Sequence, residues 1–225
     1  MIPLKDNLKG RTFPIVNIIF ILVNIAGFYL ELRQPSPKTL ELFFRLYSLV
    51  PADFIGDPWS NGTRIFTSMF LHGGLMHLIG NMLYLWIFGD NVEDRMGHIR
   101  YFFFYLLVGT SAALFQIHLN PGSKMPMVGA SGAIAGVMGA YFILYPKAKI
   151  LALIPIWIFL RFIEIPAIFF LGFWFLLQAL QGWGSLVHTA GGAREMGGVA
   201  WWAHAGGFLA GFVFVFLFKK NVFRR

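Results

Sequence analysis

Six apolar runs, each close to the roughly 20 residues that a helix needs to cross a bilayer, constrain this chain more than any other feature. They lie near 14–32, 66–89, 100–118, 130–146, 163–182 and 198–218. Apolar residues make up 57% of the 225 residues and charged residues 12%, whereas soluble domains have about 45–50% and about 25%. The sequence therefore predicts an all-α, polytopic membrane bundle of six transmembrane helices, forming a single domain over residues 1–225.

One further apolar segment, Ile150–Leu160, does not fit a span of its own. It is interrupted by Pro155 and closed by Arg161. Fusing it to the fifth run would give about 30 residues, which is longer than a bilayer requires. The sequence predicts an interfacial segment that leads into the fifth helix.

The distribution of positive charge predicts the orientation in the lipid bilayer. If the N-terminus is cytoplasmic, 12 of the 18 Lys and Arg residues fall on the cytoplasmic side and 6 on the other, as the positive-inside rule requires. Both termini are therefore expected in the cytoplasm, with the plasma membrane of a prokaryote as the expected location. The net charge of +8 is spread over segment ends without a nucleic-acid-binding motif, so no nucleic-acid partner is predicted.

The absence of cysteine removes several chemistries from consideration. Disulfides, thiolate nucleophiles and cysteine-based metal sites are excluded. The six histidines form no HExxH motif, so neither a metal nor a cofactor is predicted.

Ser131 and His204 are polar residues within predicted spans, at similar depth on the non-cytoplasmic side. Ser131 lies in the sequence Gly-Ala-Ser-Gly and His204 in Ala-His-Ala-Gly-Gly. Small residues allow two helix backbones to approach closely, which is what a serine hydroxyl needs to reach an imidazole base. A packing serine and a histidine that bridges two helices are the structural alternatives.

His77 and Asn81 stand four residues apart on the second predicted helix, so they share one face. Such side chains can donate hydrogen bonds to an oxyanion beside the nucleophile amide. A hydrogen-bonded strut between helices would use the same residues. Because no acidic residue lies in the predicted spans beside His204, a serine–histidine dyad is expected rather than a triad.

These residues and their order resemble the rhomboid family of intramembrane serine proteases, from about Thr63 to the sixth helix. The resemblance implies a six-helix core without metal or cofactor that cleaves transmembrane protein substrates near small, helix-destabilising residues. It implies Ser131 as nucleophile, His204 as general base, and His77, Asn81 and the Ser131 amide as the oxyanion hole. It also implies a structural role for Glu93 and Arg95. Some members carry an aromatic residue four positions after the nucleophile, where this chain has Ala135.

Other classes of membrane protein remain as alternatives. A catalytically inactive rhomboid-like protein that binds membrane clients would share most of the sequence, although both Ser131 and His204 are retained here. A transporter or channel would be expected to carry acidic residues near the centres of its spans, and the predicted spans have none there. An enzyme remains the favoured class.

Overall fold

The computed structural model describes residues 1–156, 159–190 and 199–219, and within these ranges the chain is mostly helical. In chain order the elements are β1 (Ile2–Asp6), α1 (Ile15–Leu32), α2 (Pro37–Tyr47), α3 (Pro51–Gly56), α4 (Pro58–Asn61), α5 (Arg64–Thr67), a 3₁₀ turn (Ser68–Phe70), α6 (Leu75–Met96), α7 (His98–Leu119), α8 (Ser131–Leu144), β2 (Lys149–Ile156), β3 (Phe159–Pro166), α9 (Ala167–Ala190) and α10 (Trp201–Phe218).

Four of the described helices are long and apolar enough to cross a membrane. They are Ile15–Leu32, His98–Leu119, Ala167–Val187 and Trp201–Phe218. The central helix α8 is shorter, with 14 residues, or about 21 Å at the helical rise of 1.5 Å per residue. Its residues from Ala133 to Tyr141 are buried, because neighbouring helices surround it. These apolar helices identify the chain as a membrane protein.

The second predicted span, 66–89, has different bounds in the structure. Helix α6 begins at Leu75, and the residues before it form α5 and the 3₁₀ turn. Gly73 and Gly74 interrupt the apolar run, because glycine loses more backbone entropy in a helix than other residues do. At the other end α6 continues through charged residues to Met96 and stops at Gly97, whose φ of +83° is far more accessible to glycine than to residues with a side chain.

A three-stranded antiparallel sheet accompanies the helices, so the all-α prediction holds for most of the described chain but not for the strands, and the described part of Ile150–Leu160 is extended rather than helical. β2 pairs with β1 on one side and with β3 on the other. The fifth helix accordingly begins at Ala167 rather than near residue 163. Pro155 is tolerated because it lies beyond Leu153, the last residue of β2 opposite β1, where a missing N–H costs less than in a strand paired on both sides.

Glu93 joins the first two long helices at the end of the bundle that holds the sheet. Its carboxylate is fully buried and accepts the backbone N–H groups of Val16 at 2.9 Å and Asn17 at 2.7 Å. His98 contacts the same carboxylate. The first N–H groups of a helix have no intrahelical acceptor, so Glu93 caps α1 and fixes it against α6.

Glycines bring α8 and α10 into backbone contact. A Cβ atom added to Gly207 would collide with the carbonyl oxygen of Gly132, and one added to Gly211 would collide with that of Gly136. These four glycines therefore form the close contact between the two helices. Because the blocking atoms belong to the backbone, neither helix can accommodate a side chain there by changing a rotamer.

We expect Gly207→Ala to lower the free energy of unfolding by about 1–3 kcal/mol, the usual cost of overpacking a close contact. Gly80→Ala is the matched control, since no atom lies within 4 Å of a Cβ at that position on α6. The control should be neutral or up to roughly 1 kcal/mol more stable, because alanine favours helix. Thermal unfolding in detergent measures both variants, and equal melting temperatures would contradict this packing.

Candidate active site

Ser131 is the first residue of α8, and Gly129 fixes how the chain enters that helix. Gly129 has φ +120°, which residues with a side chain rarely adopt, and its N–H donates to the carbonyl of Ser68 at 2.9 Å. The leading N–H groups of a helix lack intrahelical acceptors, and the helix dipole favours negative charge beside them. The Ser131 amide is therefore suited to bind a developing anion.

His204, in the first turn of α10, meets Ser131 across the helix contact. Its Nε2 atom lies 2.8 Å from Ser131 Oγ, within the range for a nucleophile and its base. The two residues are 73 positions apart in sequence. The glycine contact between α8 and α10 brings them together, so the two side chains that the sequence analysis paired are hydrogen-bonded.

The other ring nitrogen of His204 contacts Gln178, a residue that the sequence patterns do not single out. Nδ1 lies 2.7 Å from Oε1 of Gln178 on α9. Gln178 is buried, and it is an amide in the otherwise apolar run that forms the first part of α9. An amide in such an apolar run indicates a hydrogen-bond partner on a neighbouring helix, because buried amides need such partners. This was the feature of the sequence that could have identified Gln178.

An aromatic ring from α9 lies beside His204, on the same helix face as Gln178. The centroid of the Trp174 ring is 5.9 Å from that of the imidazole, with 36° between the ring planes. Ala135, four residues after the serine, is buried and supplies no ring. In this chain α9 therefore provides one aromatic neighbour of the histidine, and Trp201 of α10 provides another, with ring centroids 6.2 Å apart.

His77 and Asn81 converge on the backbone just before Ser131. A Cβ built on Gly129 would lie 2.9 Å from His77 Nε2 and 3.4 Å from Asn81 Nδ2. A Cβ there would crowd the His77 ring, whereas Asn81 Nδ2 would be in ordinary contact with it. Both candidate oxyanion donors thus lie beside the segment that carries the serine.

A chain of hydrogen bonds connects Asn81 through His72 to Glu31. Asn81 Nδ2 donates to His72 Nε2 at 2.9 Å, and the His72 backbone N–H donates to Glu31 Oε1 at 2.7 Å. His72 is 1% exposed and Glu31 is 4% exposed. A buried carboxylate needs hydrogen bonds to offset the loss of hydration. The hydrogen bond from His72 to Glu31 therefore links the end of α1 to the segment just before α6.

A cavity of about 660 Å³ contains Ser131, His204 and His77 in its wall, a volume typical of ligand sites. The loop Met125–Val128 and the first turn of α10, with Trp201 and Trp202, form further parts of the wall. Within the described part of the chain, no group of three or more potential ligands from His, Cys, Asp and Glu is placed to hold a metal ion.

The family model described as the Rhomboid domain matches residues 60–221. The chain belongs to the rhomboid family. The matched rhomboid domain includes Ser131, His204, His77, Asn81 and Gln178.

Individual rhomboid relatives match over different lengths. Rhomboid protein 1, mitochondrial, of Saccharomyces cerevisiae is 29% identical over 210 residues, covering 92% of this chain and 54% of the yeast protein. Rhomboid protease GluP of Bacillus subtilis is 34% identical over 130 residues, covering 56% of this chain and 24% of GluP. Rhomboid-like protein 11, chloroplastic, of Arabidopsis thaliana is 29% identical over 218 residues, covering 96% of this chain and 70% of its own length.

The rhomboid relatives indicate a membrane location but not a particular membrane. The chain spans only part of these relatives: the match covers 54% of the yeast protein and 24% of GluP. The relatives are mitochondrial, chloroplast and bacterial proteins. They support a membrane location, but they do not support the prokaryotic plasma membrane predicted from the sequence.

Proposed function

We propose that this chain is an intramembrane serine endopeptidase that cleaves transmembrane segments of other membrane proteins. The main support is the 2.8 Å contact between Ser131 Oγ and His204 Nε2, in a cavity at the ends of two helices of a rhomboid domain. A serine hydroxyl is a weak nucleophile until a base accepts its proton. This contact provides the base.

The proposed reaction follows the acyl-enzyme route. His204 Nε2 accepts the Ser131 proton while Oγ bonds to the carbonyl carbon of the scissile peptide. His204 then gives that proton to the departing amine as the carbon–nitrogen bond breaks. A water molecule, deprotonated by His204, hydrolyses the ester and releases Ser131 with its proton restored.

Three donors are proposed for the oxygen that becomes negatively charged during the attack. They are the backbone amide of Ser131, the side-chain amide of Asn81 and the ring of His77. Asn81 and His77 both lie beside Gly129, two residues before the nucleophile. Donors fixed in advance around such an oxygen favour the transition state over the bound substrate.

The proposed membrane topology has six spanning helices in one domain over residues 1–225. Helices α6 and α8 cross the bilayer together with the four apolar helices described above. With both termini in the cytoplasm, α8 and α10 begin on the opposite side, so Ser131 and His204 lie toward the non-cytoplasmic leaflet. A substrate helix would unwind near this leaflet, where small, helix-destabilising residues make unwinding easier.

Labelling with a fluorophosphonate probe tests this function. Purified protein in detergent should form one covalent adduct, which peptide mapping should assign to Ser131. EDTA should leave both labelling and substrate cleavage unchanged, because the proposed chemistry needs no metal. A chelator-sensitive activity restored by zinc would contradict the serine mechanism. A protein that binds membrane clients but neither labels nor cleaves would support the inactive rhomboid-like alternative.

A further inference from the structure

Gln178 occupies a position on α9 that the serine–histidine mechanism does not use. Its side chain is 7% exposed, and its Oε1 atom lies 2.7 Å from Nδ1 of His204. His204 thus has a hydrogen-bond partner on each ring nitrogen, Gln178 on one side and Ser131 on the other.

The two partners impose different requirements on the imidazole. A neutral imidazole carries its proton on one ring nitrogen and a lone pair on the other. To accept the Ser131 proton, Nε2 must hold the lone pair, so Nδ1 must hold the proton. An oxygen acceptor at Nδ1 selects that tautomer and fixes the ring orientation, as the carboxylate does in a catalytic triad.

We propose that Gln178 is a positioning residue that holds His204 in the tautomer able to act as base, an inference that rests on the proposed protease function. A neutral amide suits this location, since a carboxylate in the membrane interior costs about 2.5–3.5 kcal/mol on insertion scales. The amide oxygen provides the acceptor without that cost.

Trp174 supports the same ring from one helical turn away. Residues four apart lie on one helix face, and the Trp174 ring contacts the imidazole beside Gln178. Ala135 leaves the α8 side without an aromatic neighbour. Helix α9 therefore supplies the hydrogen bond at Nδ1 and one of the two aromatic contacts of the histidine, so the geometry of the base depends on how α9 packs against α10.

A purely structural role for Gln178 makes a different prediction. If the amide only ties α9 to α10, its removal should lower the melting temperature and leave the turnover of the folded protein unchanged. If it positions the base, kcat should fall while KM for the substrate stays close to the wild-type value, since Gln178 touches His204 rather than the substrate.

The test compares two substitutions with a control on the same helix. Gln178→Met keeps the length of the side chain but replaces the amide oxygen with a sulfur that accepts only weakly, and kcat should fall roughly 10–100-fold, the range for loss of the hydrogen-bond partner of a metal-binding histidine. Gln178→Glu keeps the acceptor and adds a charge that stabilises imidazolium. Because the base must be neutral, the acidic limb of its kcat–pH profile should move to higher pH. Leu180→Met, at a residue 58% exposed, should match the wild type.

Nitrogen-15 NMR of labelled histidines provides a readout that does not require activity. The His204 ring, assigned with a His204→Ala variant, should be protonated at Nδ1 in the wild type and should populate both tautomers in Gln178→Met. Unchanged kcat, pH profile and tautomer in Gln178→Met would overturn the inference. A wild type that neither labels nor cleaves would instead contradict the proposed function, while the tautomer measurement would still decide the role of Gln178.

Discussion

Replacing Ser131 with alanine should abolish cleavage of a model transmembrane substrate in proteoliposomes. Turnover should fall by on the order of 10⁴-fold or more, as when the nucleophile of a serine protease is removed. The substitution deletes one hydroxyl from a half-exposed residue facing the cavity. The melting temperature should therefore stay close to that of the wild type.

Ser111→Ala is the matched control for this loss. Ser111 lies on α7, and its hydroxyl donates to the carbonyl of Leu107 in the same helix at 2.9 Å. Its removal should change neither cleavage nor probe labelling. Cleavage at the wild-type rate by purified Ser131→Ala would overturn the proposed mechanism, and His204→Ala should be nearly as damaging because the two residues act as a unit.

The helical part of the fold could be predicted because lipid restricts what can cross it. Every backbone polar group in a bilayer must be satisfied within the protein, so long apolar runs indicate helices, and each predicted span overlaps one of the six longer helices of the described chain. The same restriction made Ser131 and His204 conspicuous, since polar groups within spans are few. Their positions could be read from the sequence, while the hydrogen bond between them depends on packing.

The pairing of β1 with β2 could not be predicted, because these two strands lie far apart in the sequence. Ile2 lies opposite Leu153 and Asp6 opposite Ile150, so β2 depends on pairing across about two thirds of the sequence. Its apolar residues and Pro155 resembled a short interfacial segment. A short apolar run does not by itself distinguish strand from helix.

The contact between Gln178 and His204 was also outside the reach of sequence patterns. Periodicity shows which residues share a face of one helix, but it does not show which face of another helix lies opposite. The sequence therefore predicted a dyad from the absence of a nearby carboxylate. The amide of Gln178 lies on α9, 26 positions before His204, and only the packing of α9 beside α10 reveals the contact.

Replacing Asn81 with alanine is expected to have the second largest effect on turnover, because it removes a proposed hydrogen-bond donor to the oxyanion. Nδ2 of Asn81 carries two N–H groups, of which one donates to His72 Nε2. The same nitrogen lies near Gly129, so the second N–H is available beside the nucleophile. Asn81→Ala should lower kcat by roughly 10²–10³-fold, the range for loss of one oxyanion donor, or less if His77 compensates.

The stability of the same variant needs a separate control, because Asn81 also serves the connection to α1. Its loss leaves Nε2 of the buried His72 without its donor, which should cost about 1–3 kcal/mol of unfolding free energy. His72→Ala removes the other side of that hydrogen bond and tests this structural contribution. Both variants should melt at lower temperature.

Turnover per folded protein then separates the two roles of Asn81. In His72→Ala the amide of Asn81 remains beside Gly129, so kcat should fall far less than in Asn81→Ala. In His77→Ala the loss should again appear in kcat, because the His77 ring lies in the cavity wall and is exposed rather than packed. Equal kcat losses in Asn81→Ala and His72→Ala would mean that the amide acts only as a strut. The backbone amide of Ser131 and the ring of His77 would then remain as the oxyanion donors.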